Sequence, residues 1–277
     1  MEKGALIGAG RTADVYTWGD ERILKLYQDG FPTAAIEREF AITRLAREAG
    51  LPVPATEEML QVDGRLGIVF ERIRGTSLLK ILESRPWELI AISRLLAEYH
   101  AKMHARLLPP DTFSQREQIE RGIAWAKDLS EKEKQEICSI LARCPEENAV
   151  CHGDFHPDNI LMTDHGPVII DWMTGSRGHP LADVARTILL LETGGLPPRV
   201  PAAMRLVINA SRLWMISVYR KRYLQIHPAR QGEIGAWQLP LLAARLFEVE
   251  NFPKEKEILL GRIRGALAQM LVQHVDR

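Results

Sequence analysis

The run His152-Gly153-Asp154-Phe155-His156-Pro157-Asp158-Asn159, followed shortly by Ile169-Ile170-Asp171-Trp172, constrains this chain more than any other feature. Three oxygen-bearing side chains, Asp154, Asn159 and Asp171, each sit at the edge of a short apolar β-prone run: Ala149-Val150-Cys151, Ile160-Leu161-Met162 and Val168-Ile169-Ile170. Two carboxylates and a carboxamide so placed could hold one or two Mg²⁺ ions against a triphosphate and face a reacting hydroxyl, the combination that phosphoryl transfer requires.

The rest of the chain sets the frame. At 277 residues and 46% hydrophobic content it can bury one large core or two lobes, and its formal net charge of +0 does not suggest a nucleic-acid binder. From Pro201 onward, however, 12 Lys and Arg face 6 Asp and Glu, which reads first as a solvated helical surface. Cys138, Cys144 and Cys151 show neither metal-ligand spacing nor a disulfide pattern, as expected in a reducing cytoplasm. The opening stretch Met1 to Gly10 does not read as a signal peptide, and no apolar run approaches the ~20 residues of a membrane span. A soluble, cytoplasmic protein without a membrane partner is expected.

Up to about Phe70 the chain reads as strands around one helix. Leu6-Ile7-Gly8, Asp14 to Trp18 and Ile23 to Tyr27 are β-prone, with Gly19-Asp20 turning between the last two. Ile36, Phe40, Leu45 and Ala49 recur at helical spacing over Thr33 to Ala49, and Gly50 ends the helix. Asp63-Gly64 marks a hairpin between Glu58-Val62 and Leu66-Phe70. Beyond Gly75 the pattern is helical: Ser77 to Glu83, Pro86 to Arg106, Gln115 to Leu129 and Lys132 to Ala142, then the β island, then Leu181 to Leu191, Ala202 to Tyr223, Glu233 to Glu248 and Lys256 to Gln273. The expected fold is α+β, with a β-rich lobe over residues 1–74 and a larger helical lobe over 75–277 carrying a short β-hairpin.

Several residues carry candidate chemistry. Gly8 and Gly10 form a Gly-x-Gly turn between two strands, where absent Cβ atoms let backbone N–H groups approach phosphate; an ordinary glycine turn reads the same way. Lys25 lies inside an apolar strand and needs a partner, Glu39 on the next helix being the natural one and Glu37 its competitor. Asp154 can accept a hydrogen bond from an acceptor hydroxyl and orient it. Asn159 and Asp171 supply the hard oxygens that Mg²⁺ prefers. Caps and turns use the same residue types, but do not account for all three at strand ends.

The stretch from His152 to Asn159 resembles the protein-kinase catalytic loop His-Arg-Asp-Leu-Lys-Pro-Glu-Asn, with Gly153 for its Arg and His156 for its Lys. His-Gly-Asp there, and Asp-Trp in place of Asp-Phe-Gly, resemble the aminoglycoside phosphotransferase and choline kinase superfamily of small-molecule kinases. The resemblance runs from the glycine loop through Asp183 and Ala185. It implies a bilobal protein-kinase-like fold that uses ATP, with GTP left open, and Mg²⁺. It implies Asp154 as catalytic base, Asn159 and Asp171 as metal ligands, and Lys25, held by Glu39, on the nucleotide phosphates. Glu71 to Ile73 would be the hinge reading the base, and His156 would touch the γ-phosphate. His152 and Asp183 would fix the loop, while Leu161, Ile170, Val15 and Val69 would line the base pocket or serve as core.

Only about eleven residues separate Asp171 from Asp183, and no Ala-Pro-Glu follows, which disfavours a peptide substrate. The expected acceptor is a small-molecule hydroxyl: an amino alcohol, a sugar, a hydroxy amino acid or an aminoglycoside. The basic excess after Pro201 does not favour a polycation. Trp214, Tyr219 and Trp237 are candidate acceptor platforms as well as candidate core. The rival reading is a nucleotide-binding module of the same fold without chemistry, against which the presence of Lys25, Asp154, Asn159 and Asp171 together argues.

Overall fold

The computed structural model describes residues 2–194, 200–229 and 231–275; Met1, Arg230, Asp276 and Arg277, which entered the readings above, lie outside the described residues. Five strands, β1 (Leu6–Ala9), β2 (Ala13–Thr17), β3 (Arg22–Tyr27), β4 (Thr56–Val62) and β5 (Arg65–Glu71), form one antiparallel sheet in the order β1-β2-β3-β5-β4. Asp63 and Gly64 both take positive φ (52° and 77°), as a two-residue hairpin turn between right-twisted strands demands.

Alternation along β3 sorts the sheet's two faces. Ile23 and Tyr27 face helix α1 (Thr33–Glu48) and pack with Ile36, Phe40, Ile68 and Phe70. Leu24 and Leu26 point the other way, into a cluster with Trp18 and Val69. Lys25 therefore shares the α1 face. The far side of α1, through Ile42 and Ala46, joins the large core of the second lobe, which includes Phe155 and Trp172. One helix is thus packed on both lobes.

After β6 (Thr76–Ser77) come α2 (Leu78–Ser84), α3 (Leu89–His104), α4 (Gln115–Trp125) and α5 (Glu131–Leu141). Then follow β7 (Ala149–Cys151), β8 (Ile160–Thr163), β9 (Gly166–Ile169) and β10 (Ser176–Gly178), and the helices α6 (Pro180–Thr193), α7 (Ala202–Ile226), α8 (Gln231–Gly235), α9 (Gln238–Glu248) and α10 (Pro253–Val275). β8 pairs antiparallel with β9 and with β6, and β10 pairs with β7. α6 is buried nearly all round, so it reads as apolar on every face. Among the described residues no helix is long and apolar enough to cross a membrane.

The departures from expectation have local causes. The helix expected over Glu233 to Glu248 is two: Pro240 has no N–H for the carbonyl of Ala236, so the chain breaks at Ala236-Trp237. The helix expected to Leu129 stops at Trp125, because Ser130 and Glu133 close a capping box that starts α5. Pro86–Glu88 forms a 3₁₀ turn before α3. β6 and β10 are only two and three residues long, too short for a period-two pattern to announce them. Of the expected acceptor platforms, Tyr219 and Trp237 are buried core, and only Trp214 is exposed. Val69 likewise belongs to the core on the face opposite Lys25.

Candidate active site

The catalytic-loop segment is held from beneath. His179 caps α6 by accepting from the Leu181 N–H, Pro180 occupies the first turn, and Asp183 follows within that turn. One Asp183 oxygen accepts from the His152 N–H (2.6 Å) and the other from the Gly153 N–H (2.8 Å). The His152 ring donates from Nε2 to the Ile170 carbonyl (3.0 Å) and accepts at Nδ1 from the Asp154 N–H (3.2 Å). Burial lowers its pKa, in keeping with this neutral tautomer. Gly153 has φ +75° and lies so close to Thr174 that a Cβ would come 2.8 Å from that carbonyl oxygen, so only glycine fits the turn.

Asp154, His156 and Asn159 converge above this turn. Asn159 Nδ2 donates to the Asp154 backbone carbonyl (2.9 Å) and to its Oδ2 (3.1 Å). With the amide nitrogen so engaged, the amide oxygen is the group left to offer a cation. His156 accepts from the Asp158 N–H at Nδ1, and its Nε2 lies 3.5 Å from Asp154 Oδ2. Burial would raise the Asp154 pKa, but His156, Arg186 and His152 outweigh it and hold the carboxyl well below the usual range.

The second cluster centres on Lys25. Its ammonium donates to Glu39 Oε1 (2.7 Å) and to Asp171 Oδ1 (2.8 Å). Glu39, and not Glu37, is therefore the partner; it is buried, and its other oxygen accepts from Tyr27 OH at 2.6 Å. Burial lowers the Lys25 pKa, yet the two carboxylates more than reverse this and the net shift is upward. Glu39 moves up, since burial outweighs Lys25 and the Tyr27 hydroxyl. Asp171 takes φ +64°, a left-handed conformation uncommon outside glycine, just after β9. The two clusters are joined through the Ile170 N–H, which donates to the Asn159 carbonyl at 3.0 Å.

The remaining candidates are placed as follows. Gly8 and Gly10 flank the β1–β2 turn, which closes through the Gly10 N–H and the Ala13 carbonyl (2.9 Å). A Cβ on Gly8 would meet only Val15, at 3.6 Å, so the fold itself does not require glycine there. Glu71 ends β5 with its side chain spent on the Ala55 N–H (3.0 Å) and Arg47 (3.5 Å) and its own N–H on the Ala55 carbonyl (2.9 Å). The Arg72 N–H is taken by Glu21, whereas Ile73 forms no backbone–backbone bond among the described residues.

Sequence reasoning missed what stands behind Asp183. His100 and His104 on α3 each point Nε2 at Asp183 Oδ2, at 3.1 and 3.3 Å. Tyr219 and Tyr223 on α7 donate to the opposite ring nitrogens, each at 2.6 Å. All five are buried. Burial would push Asp183 up, but the two imidazole donors hold it well below the carboxylate range, while burial pushes His104 down to about 4. The matched i, i+4 pairs of His and Tyr on two largely apolar helices were the available signal. Arg186 was also missed: its Nε donates to the Gly153 carbonyl (3.0 Å) and its Nη2 to Glu248 (2.5 Å).

Solved structures similar to this chain include small-molecule kinases. An aminoglycoside phosphotransferase in complex with AMP-PNP and hygromycin B superposes with a TM-score of 0.66 over 94% of this chain and 91% of its own, at 16% identity. An amicoumacin kinase bound to AMP-PNP and Ca²⁺ gives 0.63 over 95% and 87%, at 15% identity. Choline kinase from Cryptosporidium parvum gives 0.59 over 98% and 90%, also at 15% identity. A curated mouse protein, acyl-CoA dehydrogenase family member 10, is 26% identical over 56% of this chain, a match that spans only 17% of the mouse protein's length. Residues 3–213 match the profile of the phosphotransferase enzyme family, and the chain, with its bilobal protein-kinase-like fold, belongs to that family.

Proposed function

We propose that this phosphotransferase moves the γ-phosphate of ATP to a hydroxyl of a small molecule in the cytoplasm, with Mg²⁺. The observation that carries the reading is the joining of two clusters, Asp154–Asn159 and Lys25–Glu39–Asp171, through one backbone hydrogen bond between Ile170 and Asn159. The lobe of residues 1–74 would supply the nucleotide contacts. Backbone N–H groups of the Gly8–Gly10 turn approach the phosphates, and Lys25, held by Glu39, donates to them. The Glu71 carbonyl and Ile73 N–H read the base.

The donor set suits a hard divalent cation: the Asn159 amide oxygen and the Asp171 carboxylate are oxygen ligands of the kind Mg²⁺ takes. Bound there, Mg²⁺ would offset charge on the phosphate oxygens. Asp154 accepts the hydrogen bond of the acceptor hydroxyl and aims its oxygen at the γ-phosphorus. Its depressed pKa makes it too weak a base to remove the proton beforehand, so the proton arrives late, as the new P–O bond forms. His156, whose Nε2 lies 3.5 Å from Asp154 Oδ2, would donate to the γ-phosphate.

A small acceptor is favoured because the segment after Asp171 is short and pinned. β10 pairs with β7, and the Arg177 N–H donates to the Phe113 carbonyl, so no long platform for a peptide is formed. Free Cys138, Cys144 and Cys151 suit a reducing compartment. The test is Asp154→Asn. Acceptor-stimulated ADP release should fall by about 10²–10⁴-fold while calorimetric nucleotide affinity is unchanged. A wild-type rate in that variant would remove Asp154 from the mechanism.

A further inference from the structure

Helix α7 has two apolar sides, and only one of them is covered. Met215, Ile216, Tyr219 and Tyr223 are buried, and the two tyrosines reach His100 and His104 on α3. On the opposite side runs a second stripe, Ala203, Leu206, Ala210, Leu213 and Ser217, spaced alternately three and four residues apart. Val207 and Trp214 each adjoin a leucine of that stripe. All seven residues are exposed, and Leu206, Val207, Leu213 and Trp214 by more than half. A contiguous apolar face of this kind marks a contact surface.

Spacing and charge together select the occupant. A three-four repeat is the seam that a second helix fills, knobs into holes. Here the repeat alternates small and large, Ala203, Ala210 and Ser217 against Leu206 and Leu213. Laid antiparallel on its own copy, such a stripe is complementary to itself. Leu206 of one chain falls on Ser217 of the other and Leu213 on Ala210, and the two-fold repeats each pairing, as an isologous contact requires. α7 carries five Lys and Arg and no Asp or Glu, but none of them lies on the stripe between Ala203 and Ser217. Arg205 and Arg212 recur at intervals of seven with buried Tyr219 and so share its side. The Arg205 Nε donates to the Val200 carbonyl (2.9 Å), and Arg212 Nη1 to the Gly194 carbonyl (2.6 Å). Two copies of this basic helix can therefore meet along the stripe without opposing charges of one sign. A helix lying on an anionic lipid surface would instead carry its cations along the rims of the apolar face, and alternation of small and large residues would serve no purpose there.

We propose that this face of α7 is a homodimer interface, with two copies packed antiparallel about an axis that passes between Ala210 and Leu213. Pairing two heptads from each chain buries on the order of 1,000 Å² in total, the small end of specific interfaces, so the dimer forms at micromolar protein and separates on dilution. The contact also braces, from its outer side, the helix whose Tyr219 and Tyr223 stand behind His100, His104 and Asp183.

Sedimentation equilibrium tests the interface on the full chain, comparing wild type with Leu206→Glu/Leu213→Glu from submicromolar to high micromolar concentration. Both leucines are exposed, so circular-dichroism melts at the lowest concentration should coincide. The wild type should pass from the mass of one chain to that of two, and the variant should keep the mass of one chain throughout. A wild type that stays monomeric at the highest concentration overturns the proposal. A variant that dimerises as tightly as wild type overturns it too, by placing the contact elsewhere. Cysteine pairs test the register without adding charge. An oxidised mixture of Ala210→Cys and Leu213→Cys chains should yield a disulfide-linked pair that the wild type alone does not form. Replacing Leu213→Cys by Met204→Cys, exposed but off the stripe, should abolish it, and equal linkage from both mixtures overturns the antiparallel face. Flotation with vesicles of phosphatidylcholine and phosphatidylglycerol separates the lipid alternative. Wild type should not float, and flotation that the double variant loses would give the face to lipid and overturn the second copy as its occupant.

Discussion

Lys25 Nζ donates to Asp171 Oδ1 at 2.8 Å, joining a strand of the first lobe to the residue that follows the catalytic hairpin of the second. The same ammonium donates to buried Glu39 at 2.7 Å. One cation thus serves a carboxylate with no access to water and another that is 43% exposed. The exposed pair is the exchangeable one, because solvent or phosphate can replace its partner at little cost.

Lys25→Met is expected to weaken nucleotide binding and to lower turnover by about 10²-fold or more, since positioning and charge at the phosphates carry most of such catalysis. It also leaves Glu39 buried without a cation, a loss that usually costs about 3–5 kcal/mol. Glu39 already has a raised pKa and can take a proton, so the cost should lie below that range. Lys25→Met/Glu39→Gln should recover melting temperature without recovering activity. Thermal melts and ADP-release assays on the double-mutant cycle check both halves.

Asp171→Ala should remove the Mg²⁺-dependence of nucleotide binding, because its carboxylate is the charged member of the candidate donor pair. Asn159→Ala should weaken that dependence less, as it removes a neutral oxygen. It should also lower kcat, because Asp154 loses the Nδ2 donor at 3.1 Å. Calorimetric titration of nucleotide with and without Mg²⁺ distinguishes the two, and an unchanged metal effect in Asp171→Ala would discard the ligand assignment.

Acid should unfold this protein before it protonates Asp154. Asp154 is held well below the usual carboxylate range and stays ionised from pH 8 down through pH 5. His104 is depressed from 6.5 to about 4, and His100 and His152 are lowered too. Below pH 6.5 the unfolded chain binds protons at these positions while the folded chain does not. Stability therefore falls with pH over the window from 6.5 to about 4, by about 3 kcal/mol from His104 alone. Melting temperature should drop across that window, and His104→Gln should flatten the slope. A kcat acid limb near pH 6 in still-folded protein would count against Asp154.

These sites differ in how openly the chain declares them. Asp154, Asn159 and Asp171 were legible because each sits at a strand edge where apolar and polar residues meet abruptly. Lys25 was legible because a charge inside an apolar strand needs a partner, although only the direction of α1 decides between Glu37 and Glu39. The network behind Asp183 was hidden because His100, His104, Tyr219 and Tyr223 meet across 119 residues of sequence in each His–Tyr pair, and periodicity places a residue on a face without naming what that face meets. The two-residue strand β6 and the three-residue strand β10 left no trace, as their pairing uses backbone groups that every residue has. Pro240 was readable as a helix break from its missing N–H.

Two glycines should respond in opposite ways to the same added methyl. Gly8→Ala has room, with Val15 Cβ at 3.6 Å and Cγ2 at 3.7 Å, so melting temperature should hold while the KM for ATP rises. Gly153→Ala forces a side chain onto φ +75° and to 2.8 Å from the Thr174 carbonyl oxygen, so stability should fall by about 1–3 kcal/mol and turnover with it. Equal effects of both on stability would mean that Gly8 is kept for folding and not for a ligand.

Arg186 offers the sharpest separation of positioning from chemistry. Its guanidinium is buried, bonded at once to the Gly153 carbonyl and to Glu248, which Arg245 also contacts at 3.2 Å. Arg186→Met keeps the apolar stem but removes the clamp on the carbonyl directly before Asp154. Glu248 would not be stranded, since Arg245 remains and its side chain is 39% exposed. The destabilisation should accordingly stay near 1–3 kcal/mol, about the cost of one unmet buried carbonyl plus lost charge pairing. The catalytic effect should be larger than stability alone predicts: kcat falls at least tenfold at a temperature where the variant is fully folded, with the KM for ATP unchanged. Arg186→Lys, which keeps the charge but not the fork, should regain melting temperature more fully than kcat. Rates and melts that recover in step would make Arg186 a plain core residue.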